Sequence, residues 1–160
     1  MVHAESAEQP VPRETLLSMS GLEFVRGMLG GRIPAPPISR TLGYRLAEVD
    51  EGRVVFAGAP GPESCNPLGT VHGGWYGTLL DSAMACAVQT RLPKGSIYTT
   101  LEYKVNVIRP IPLGHEIRCE GTADHVGRST GVARGRITDA AGTLYATGST
   151  TCIVMTPKAA

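Results

Sequence analysis

The sequence predicts an α+β fold in which one long helix packs on one face of an antiparallel sheet. Three observations support this prediction. Residues 72–90 are apolar with helical periodicity, the later segments alternate apolar and polar residues, and the connections between those segments are short. Short connections favour antiparallel neighbours, because a parallel pair needs a long crossover. The 160 residues, of which 42% are hydrophobic, suffice for one domain with one core.

The N-terminal part of the chain is predicted to precede this domain. Residues 1–13 are polar with two prolines and are expected to form a tail, whereas residues 14–29 place apolar side chains at the spacing of one helix. The segment GGRIPAPPISR then ends that helix and continues as an extended linker, because glycine and proline disfavour helix. We therefore expect residues 1–38 to form a tail, a helix and a linker, and residues 39–156 to form the main domain.

Two strands are predicted before the long helix and about four after it. The first two flank a turn at residues 50–52. In residues 96–110 the odd positions are mostly apolar and the even positions are polar, which predicts a strand with one buried face. Alternation continues through residues 113–127 and 129–155, and the second of these segments contains a predicted hairpin turn near Asp139.

Composition and charge argue against two classes of partner. The formal net charge is +1, which disfavours nucleic-acid binding by a strongly basic surface. No segment approaches the length of a membrane span, so we expect no membrane partner. Charged residues make up only 18% of the chain, below the usual share of about a quarter, and we expect an oligomer to cover part of the surface.

The cysteine pattern indicates a reduced protein. The four cysteines form neither a CxxC pair nor a Cys/His cluster with zinc-ligand spacing, so we expect free thiols and no metal site. The N-terminus lacks the basic start and apolar run of a secretory signal. The sequence therefore predicts a cytoplasmic location.

The long helix carries a single formal charge, Asp81, near its middle. Projected at about 100° per residue, one apolar stripe is predicted to face the sheet: Tyr76, Leu79, Leu80, Ala83, Met84, Ala87 and Val88. The opposite side lacks Lys, Glu and Arg and holds small or polar residues: Gly74, Gly77, Thr78, Asp81, Ser82 and Ala85. We infer that both sides are covered, with Asp81 either a functional carboxylate or a structural hydrogen-bonding group.

The helix begins with His72, Gly73 and Gly74, a poor start unless another group must approach the backbone closely. Free N–H groups at a helix N-terminus stabilise negative charge, including a transient oxyanion. Asp81 lies about 12 Å further along the axis than Gly73, too far for both to act on one atom within one straight helix. Either a bent loop enters the helix, or a symmetric dimer brings Asp81 of one chain near Gly73 of the other.

The segment NPLGTVHGGWYGTLLDSAM resembles the motif of hotdog-fold acyl-CoA thioesterases. Its spacing is similar to that of the phenylacetic-acid-degradation-type (PaaI-like) subfamily, with Asn66, the His72-Gly73-Gly74 run and an acidic Asp81 nine residues after the histidine. The resemblance continues through TTLEYKVNVIRPIPLG, HVGRSTG and ATGSTTCIV and covers about residues 40–155. It implies an antiparallel sheet wrapped around a central helix, in a homodimer that is often half of a homotetramer.

The resemblance also implies site residues at the dimer interface. Asp81 resembles the catalytic carboxylate, and Gly73 resembles the residue whose backbone N–H polarises the thioester carbonyl. Asn66 and His72 resemble the groups that hold the thioester and the water, and Thr100 stands near the attacking water. Further substrate contacts are expected from the neighbours of the motif and, for the phosphates of coenzyme A, from two later segments: Gly74, Trp75, Arg109, Arg128, Ser129 and Thr130.

Several of these residues also have ordinary structural interpretations. His72 can fix the loop geometry, and an asparagine before Pro67 is a common turn former. Trp75 can serve packing alone, and the segment around Arg128 can be a plain hairpin turn. The sequence leaves these alternatives open.

The resemblance implies an enzyme that hydrolyses an acyl- or aryl-CoA thioester to the free acid and coenzyme A. Asp81 would act as a general base or as a nucleophile that forms a mixed anhydride. Coenzyme A is part of the substrate, and no separate cofactor is expected. A non-catalytic acyl-CoA-binding protein would be expected to lack Asp81 or the glycines, and a hydratase or dehydratase of this fold would use a different His/acid arrangement.

Overall fold

The computed structural model describes residues 11–157, and the predicted tail at residues 1–10 lies outside that range. The helices are α1 Arg13–Leu17, α2 Gly21–Leu29, α3 Pro37–Thr41 and α4 Gly73–Gln89, with a short 3-10 turn at Pro62–Ser64. The strands are β1 Tyr44–Asp50, β2 Arg53–Gly58, β3 Ile97–Val107, β4 Ile117–Val126, β5 Thr130–Thr138 and β6 Leu144–Met155. The predicted α+β hotdog fold is confirmed.

The six strands form one sheet in the order β1-β2-β4-β5-β6-β3, and every neighbouring pair is antiparallel. The sheet wraps around α4, which contacts strands β2 to β6. Gly121 of β4 allows the closest approach, since a methyl group there would collide with the backbone of Ala83 in α4. Strands β1 and β3 are the edges of the sheet.

The predicted helix over residues 72–90 is confirmed to within one residue at each end. His72 is the N-cap, and its Nδ1 accepts a hydrogen bond of 2.9 Å from the N–H of Gly74. Thr90 is the C-cap, where its Oγ1 donates to the carbonyl of Ala87 at 2.7 Å. All seven side chains of the predicted apolar stripe are buried, so the stripe faces the sheet as expected.

The prediction of one helix over residues 14–29 is wrong. Helix α1 ends at Leu17 and α2 begins at Gly21, because Ser20 caps a new helix. Its hydroxyl accepts from the Glu23 N–H at 3.3 Å, and the Glu23 carboxylate accepts from the Ser20 N–H at 2.8 Å. This reciprocal capping box supplies acceptors for two backbone N–H groups that have no partner within α2.

The linker prediction also needs a correction, because Pro37 starts the short helix α3. Proline is well suited to the first position of a helix, where its missing N–H is not needed. The predicted domain boundary between residues 38 and 39 falls inside this helix and stays a prediction.

The prediction that the odd positions of residues 96–110 form one buried face is wrong for the first half of the strand. A β-bulge between Thr100 and Glu102 reverses the side-chain alternation of β3. Thr100, an even position, lies on the α4 side before the bulge, whereas Tyr103, an odd position, lies on that side after it. The apolar Leu101 and Val107 are 59% and 51% exposed, because β3 is an edge strand without a partner on its outer side in this chain.

Within residues 11–157, no helix combines the length and the hydropathy that crossing a membrane requires. All four cysteines are free thiols, two of them buried and two half-buried. In the same part of the chain, no three His, Cys, Asp or Glu side chains cluster as metal ligands would. The predicted cytoplasmic location stays a prediction.

Candidate active site

Asp81 lies half-buried on the side of α4 that bears the small residues. Thr100 of β3 donates a hydrogen bond from Oγ1 to the Asp81 Oδ1 at 2.9 Å. No Lys or Arg among residues 11–157 forms an ion pair with this carboxylate. Burial raises the pKa of Asp81 above its ordinary value, and the Thr100 hydrogen bond opposes part of that rise. Such a carboxyl group is a better proton acceptor than an exposed aspartate.

Asp81 opens into a cavity of about 560 Å³, which we call the Asp81 cavity. On α4 this cavity is bordered by residues that share one helix face: Asp81, Ser82, Ala85, Cys86 and Gln89. Its other walls are mainly apolar and come chiefly from α1, α2, β1, β2 and the start of β3, including Leu16, Phe24, Val25, Met28, Leu46, Phe56 and Ile97. The N-terminal helices therefore form a wall of this cavity and give it the character of a pocket for an apolar group.

The other ionisable groups around Asp81 are held neutral. Burial raises the pKa of Cys86 to about 12, so this thiol is not a ready nucleophile at neutral pH. Burial also raises the pKa of Tyr44 and of Tyr98. The Ser82 hydroxyl donates to the Thr78 carbonyl at 2.9 Å, so Tyr44 is the donor in its 3.0 Å hydrogen bond with Ser82. Asp81 is thus the carboxylate among the described residues that line this cavity.

The N-terminus of α4 offers one free hydrogen-bond donor. The N–H of Gly74 donates to the His72 ring and the N–H of Trp75 to the His72 carbonyl, each at 2.9 Å. The N–H of Gly73 has no acceptor within the described part of the chain. A methyl group at Gly73 would meet no atom within 4 Å, so the space beside this residue is open.

Gly73 lines a second cavity, of about 410 Å³, which we call the Gly73 cavity. Tyr76, Ile108 and Arg109 are among its other lining residues. Arg109 is anchored there, because its Nη1 donates to the Leu144 carbonyl at 2.7 Å. The Gly73 cavity therefore combines a free backbone donor with a fixed cation.

Asn66 and His72 hold the loop that leads into α4. The Oδ1 of Asn66 accepts from the N–H groups of Leu68 and Thr70 at 2.9 and 3.3 Å, and its Nδ2 donates to the Thr70 hydroxyl at 2.9 Å. In neutral His72 the proton is on Nε2, because Nδ1 accepts the Gly74 N–H. Both side chains position the backbone before Gly73, and their contact with substrate stays a prediction.

Trp75 is placed away from both cavities. Its side chain is 3% exposed, and its Nε1 donates to the Leu42 carbonyl at 2.9 Å. It is part of the core of the chain and borders neither the Asp81 cavity nor the Gly73 cavity. Packing is therefore the role that its contacts support.

Arg128, Ser129 and Thr130 lie exposed at the turn between β4 and β5. This turn is near the C-terminal end of α4, because a methyl group at Gly131 would lie 2.5 Å from the Val88 side chain. Arg128 has no ion pair or side-chain hydrogen bond to any residue in the range 11–157. Its guanidinium is available to an anionic ligand.

The structure separates the two principal groups of the predicted site. Asp81 and Thr100 lie together in one cavity, Gly73 and Arg109 lie together in the other, and no residue lines both. Because α4 is a continuous helix from Gly73, the bent-loop alternative is not observed. The axial separation of Gly73 and Asp81 remains about 12 Å.

Several polar residues of the Asp81 cavity are absent from the site residues predicted from the sequence. They include Gln89, at the end of α4, and Tyr98, on β3. One signal could have identified Gln89, because it follows Asp81 by eight residues, and residues spaced by four share a helix face. Tyr98 was hidden by the bulge, which reverses the alternation used to predict the faces of β3.

Comparison with known proteins identifies the family of the chain. Residues 68–146 match the model of the thioesterase superfamily. The solved structure of a phenylacetic acid degradation-related protein from Ralstonia eutropha is 30% identical, with a TM-score of 0.74, and the match covers 81% of this chain and 98% of that one. No curated protein matches the chain significantly.

Two further solved structures are similar. A mutant of the phenylacetic acid degradation protein PaaI from Thermus thermophilus is 27% identical, with a TM-score of 0.67, over 73% of this chain and 97% of that one. A Streptococcus mutans protein bound to acetyl CoA is 23% identical, with a TM-score of 0.65, over 73% and 92%, and it shares the fold. The chain therefore belongs to the thioesterase superfamily, as a hotdog-fold thioester hydrolase of the phenylacetic-acid-degradation type.

Proposed function

We propose that the protein hydrolyses an acyl-CoA thioester to the free acid and coenzyme A, in a site shared by two chains. One chain supplies Asp81 and its partner supplies the N–H of Gly73. The observation that carries the proposal is the half-buried Asp81 carboxylate, which forms no ion pair with residues 11–157 and borders a large, mainly apolar cavity. Family membership supports the reaction, and the geometry of this chain supports the roles.

Asp81 acts as a general base in this proposal. Thr100 occupies Oδ1, so Oδ2 is the oxygen left to accept a proton from water. The water oxygen attacks the thioester carbon, and the carbon–sulfur bond breaks when the tetrahedral intermediate collapses. The proton held by Asp81 then passes to the departing thiolate, which leaves as coenzyme A. The raised pKa of Asp81 strengthens it as the base for the first step.

The backbone N–H of Gly73 receives the negative charge that develops on the carbonyl oxygen. This N–H has no acceptor in the described part of the chain, and the space beside it is open. It also lies at the positive end of the α4 dipole. One such donor typically stabilises the transition state by about 3 kcal/mol.

The separation of the two cavities supports a composite site. Within one chain Asp81 and Gly73 are about 12 Å apart along α4, too far to share one carbonyl group. Edge strand β3 exposes apolar side chains at Leu101, Tyr103 and Val107, and an exposed apolar edge favours pairing with a second strand. We infer a homodimer in which two β3 strands meet and two α4 helices lie adjacent, alone or as half of a homotetramer.

The nucleotide end of coenzyme A is expected at the surface. Arg109 borders the Gly73 cavity, and Arg128 is exposed without a partner in residues 11–157. We propose that these arginines contact phosphate, with Ser129 and Thr130 as neighbouring donors. The acetyl CoA bound to the Streptococcus mutans protein of the same fold supports this class of ligand.

Subunit complementation tests the composite site. Gly73→Pro removes the proposed donor, and the first position of a helix tolerates proline. His72 already has the extended conformation that precedes proline, with φ −64° and ψ 138°. Asp81→Ala chains and Gly73→Pro chains should each be inactive. After random subunit exchange, the mixture should recover about a quarter of wild-type activity, because half of the dimers carry one intact site.

Mass spectrometry of differently labelled chains provides the control for exchange. No recovery in a mixture with proven exchange would place each site within one chain and contradict the composite mechanism.

A further inference from the structure

Gln89 places a buried amide at one end of the Asp81 cavity. The residue is 7% exposed and lines the cavity. Its side chain forms no hydrogen bond with any described residue, and both amide atoms keep some solvent-accessible surface. A ligand that displaces water from this amide without replacing its hydrogen bonds would leave a buried polar group unpaired, which is unfavourable. A cavity for a wholly apolar ligand would not need an amide at this position.

The cavity extends along one face of α4 from Asp81 to Gln89. Asp81, Ala85 and Gln89 follow each other at intervals of four residues, and all three line it. The two ends are about 12 Å apart along the helix axis. Between these ends the walls are mainly apolar side chains such as Phe24 and Met28.

Helix α2 packs against the end of α4 that carries Gln89. A methyl group at Gly21 would collide with the Gln89 carbonyl, and it would lie 3.2 Å from the Gln89 Nε2. The N–H of Gly21 also donates to the Leu92 carbonyl at 3.0 Å, which fixes the start of α2 against the end of α4. The amide of Gln89 therefore lies beside this packed junction of α2 and α4, which we call the end wall.

We propose that Gln89 recognises a neutral polar group at the far end of the acyl chain, so that the substrate class is an apolar acyl-CoA with a distal hydroxyl or carbonyl oxygen. The inference rests on the proposed function, because that function places the thioester carbon at Asp81. An amide has both donors and an acceptor, so it suits either a hydroxyl or a carbonyl. A charged substituent is disfavoured, since Asp81 is the one formally charged residue among the described residues that line the cavity.

The geometry sets the position of the distal oxygen. Contacts of about 3 Å at the carbonyl carbon and about 3 Å at the amide leave roughly 6 Å of the axial length for the acyl chain. With bonds of about 1.5 Å in a zigzag, this corresponds to an oxygen about five bonds from the carbonyl carbon. In a straight chain that oxygen is attached to the fifth carbon.

Matched acyl-CoA substrates test the proposal with the full chain. The rate constant kcat/KM is measured for hexanoyl-CoA, 5-hydroxyhexanoyl-CoA and 5-oxohexanoyl-CoA, which share one carbon skeleton. The wild type should prefer at least one of the oxygenated substrates by about tenfold or more, because a site built around a polar group discriminates against analogues that leave it unpaired. Gln89→Met keeps the length of the side chain and should abolish this preference.

Met28→Leu provides the control variant, since it changes an apolar wall of the same cavity and should leave the ratio between the substrates unchanged. Gln89→Met should fold as well as the wild type, because the native side chain makes no hydrogen bond to described residues. Thermal unfolding checks this expectation.

A second measurement separates this inference from the proposed function. Calorimetry on the Asp81→Asn variant should show tighter binding of an oxygenated acyl-CoA than of hexanoyl-CoA, with the difference lost in Asp81→Asn/Gln89→Met. If the wild type hydrolyses hexanoyl-CoA but shows no preference, and Gln89→Met changes no ratio, the role of Gln89 is overturned and the proposed function stands. If no thioester is hydrolysed, the proposed function fails, and the calorimetric comparison alone decides whether Gln89 reads a distal oxygen.

Discussion

The hydroxyl of Thr100 donates a hydrogen bond of 2.9 Å to Oδ1 of Asp81. It reaches this carboxylate because the first half of β3, before the bulge, turns its even positions toward α4. Burial raises the pKa of Asp81, and the bond from Thr100 acts in the opposite direction. These two residues therefore set the pH at which the proposed base becomes active.

Thr100→Val should move the acidic limb of the pH profile to higher pH. The base must be deprotonated, so kcat/KM rises with pH through the pKa of Asp81. Without the Thr100 hydroxyl, burial acts alone and the pKa of Asp81 rises further. The profile of kcat/KM against pH measures the shift. Thr99→Val is the control, because this exposed neighbour points away from α4 and should leave the limb in place.

Asp81→Asn should lower turnover by about a hundredfold or more, in the range expected for the loss of a general base. The substitution keeps the shape of the side chain and removes its charge. Steady-state assays with circular dichroism as a check on folding measure this effect. A folded variant with wild-type turnover would contradict the assignment of Asp81.

The same substitution should change the pH dependence of stability. The pKa of Asp81 is raised in the folded state, so its contribution to stability is complete below the unfolded value near 3.8 and is lost as pH rises through the folded pKa. Asp81→Asn lacks this loss. The Tm of the variant relative to the wild type should therefore increase from acidic to neutral pH. A difference in Tm that stays constant over this range would argue against a raised pKa.

Gly21→Ala should destabilise the chain and disturb the end wall of the Asp81 cavity. The added methyl group would collide with the Gln89 carbonyl, so α2 must shift. We expect a loss of about 1–3 kcal/mol in the free energy of unfolding, as for other overpacked sites. Gly30→Ala is the control, because Gly30 is exposed with φ −79° and a methyl group there meets its nearest atom at 3.4 Å. Urea unfolding compares the two variants.

Arg128→Ala should raise KM for an acyl-CoA more than it lowers kcat, because a phosphate contact is equal in the ground and transition states. The effect should shrink with an acyl thioester that lacks the nucleotide. Arg40→Ala, another exposed arginine, should leave both substrates unaffected. Equal losses with both thioesters would place Arg128 outside the nucleotide site.

Local signals explain which elements were predictable. Helix α4 was predicted to within a residue, because its apolar periodicity and its breakers are all in the sequence. The division between α1 and α2 also has a local signal, the Ser20-x-x-Glu23 capping box, which the apolar spacing of residues 14–29 concealed. The bulge in β3 has no such signal, because it depends on pairing with β6 and the apolar alternation continues through it.

The residues of the candidate site also differ in whether the sequence carries a local signal for them. The motif predicted Gly73 and Asp81 as site residues, and their roles stay predictions. It also included Trp75 by proximity in sequence, but this side chain turns to the core from the first turn of α4. The spacing from Asp81 places Gln89 on the same helix face, but its burial could not be predicted, since it arises from the packing of α2 against the end of α4. The burial of a side chain and the absence of a partner for its polar atoms depend on tertiary packing, so the periodicity of apolar residues in the sequence does not predict them.

The bulge gives strand β3 one residue, Leu101, that its partner β6 does not match. Leu101 itself is 59% exposed, so substitutions there should cost little in one chain. Thr100 and Glu102 pair with the adjacent residues Cys152 and Thr151, so Leu101 has no partner of its own in the ladder. Deleting Leu101 would therefore join the two halves in regular alternation, with Thr100 still facing Asp81 and Tyr103 still facing α4. An extra residue inserted within either half would instead reverse the faces of the side chains beyond it. Loss of the codon for Leu101 is therefore a change that this segment can absorb, whereas gain of a codon within either half is not.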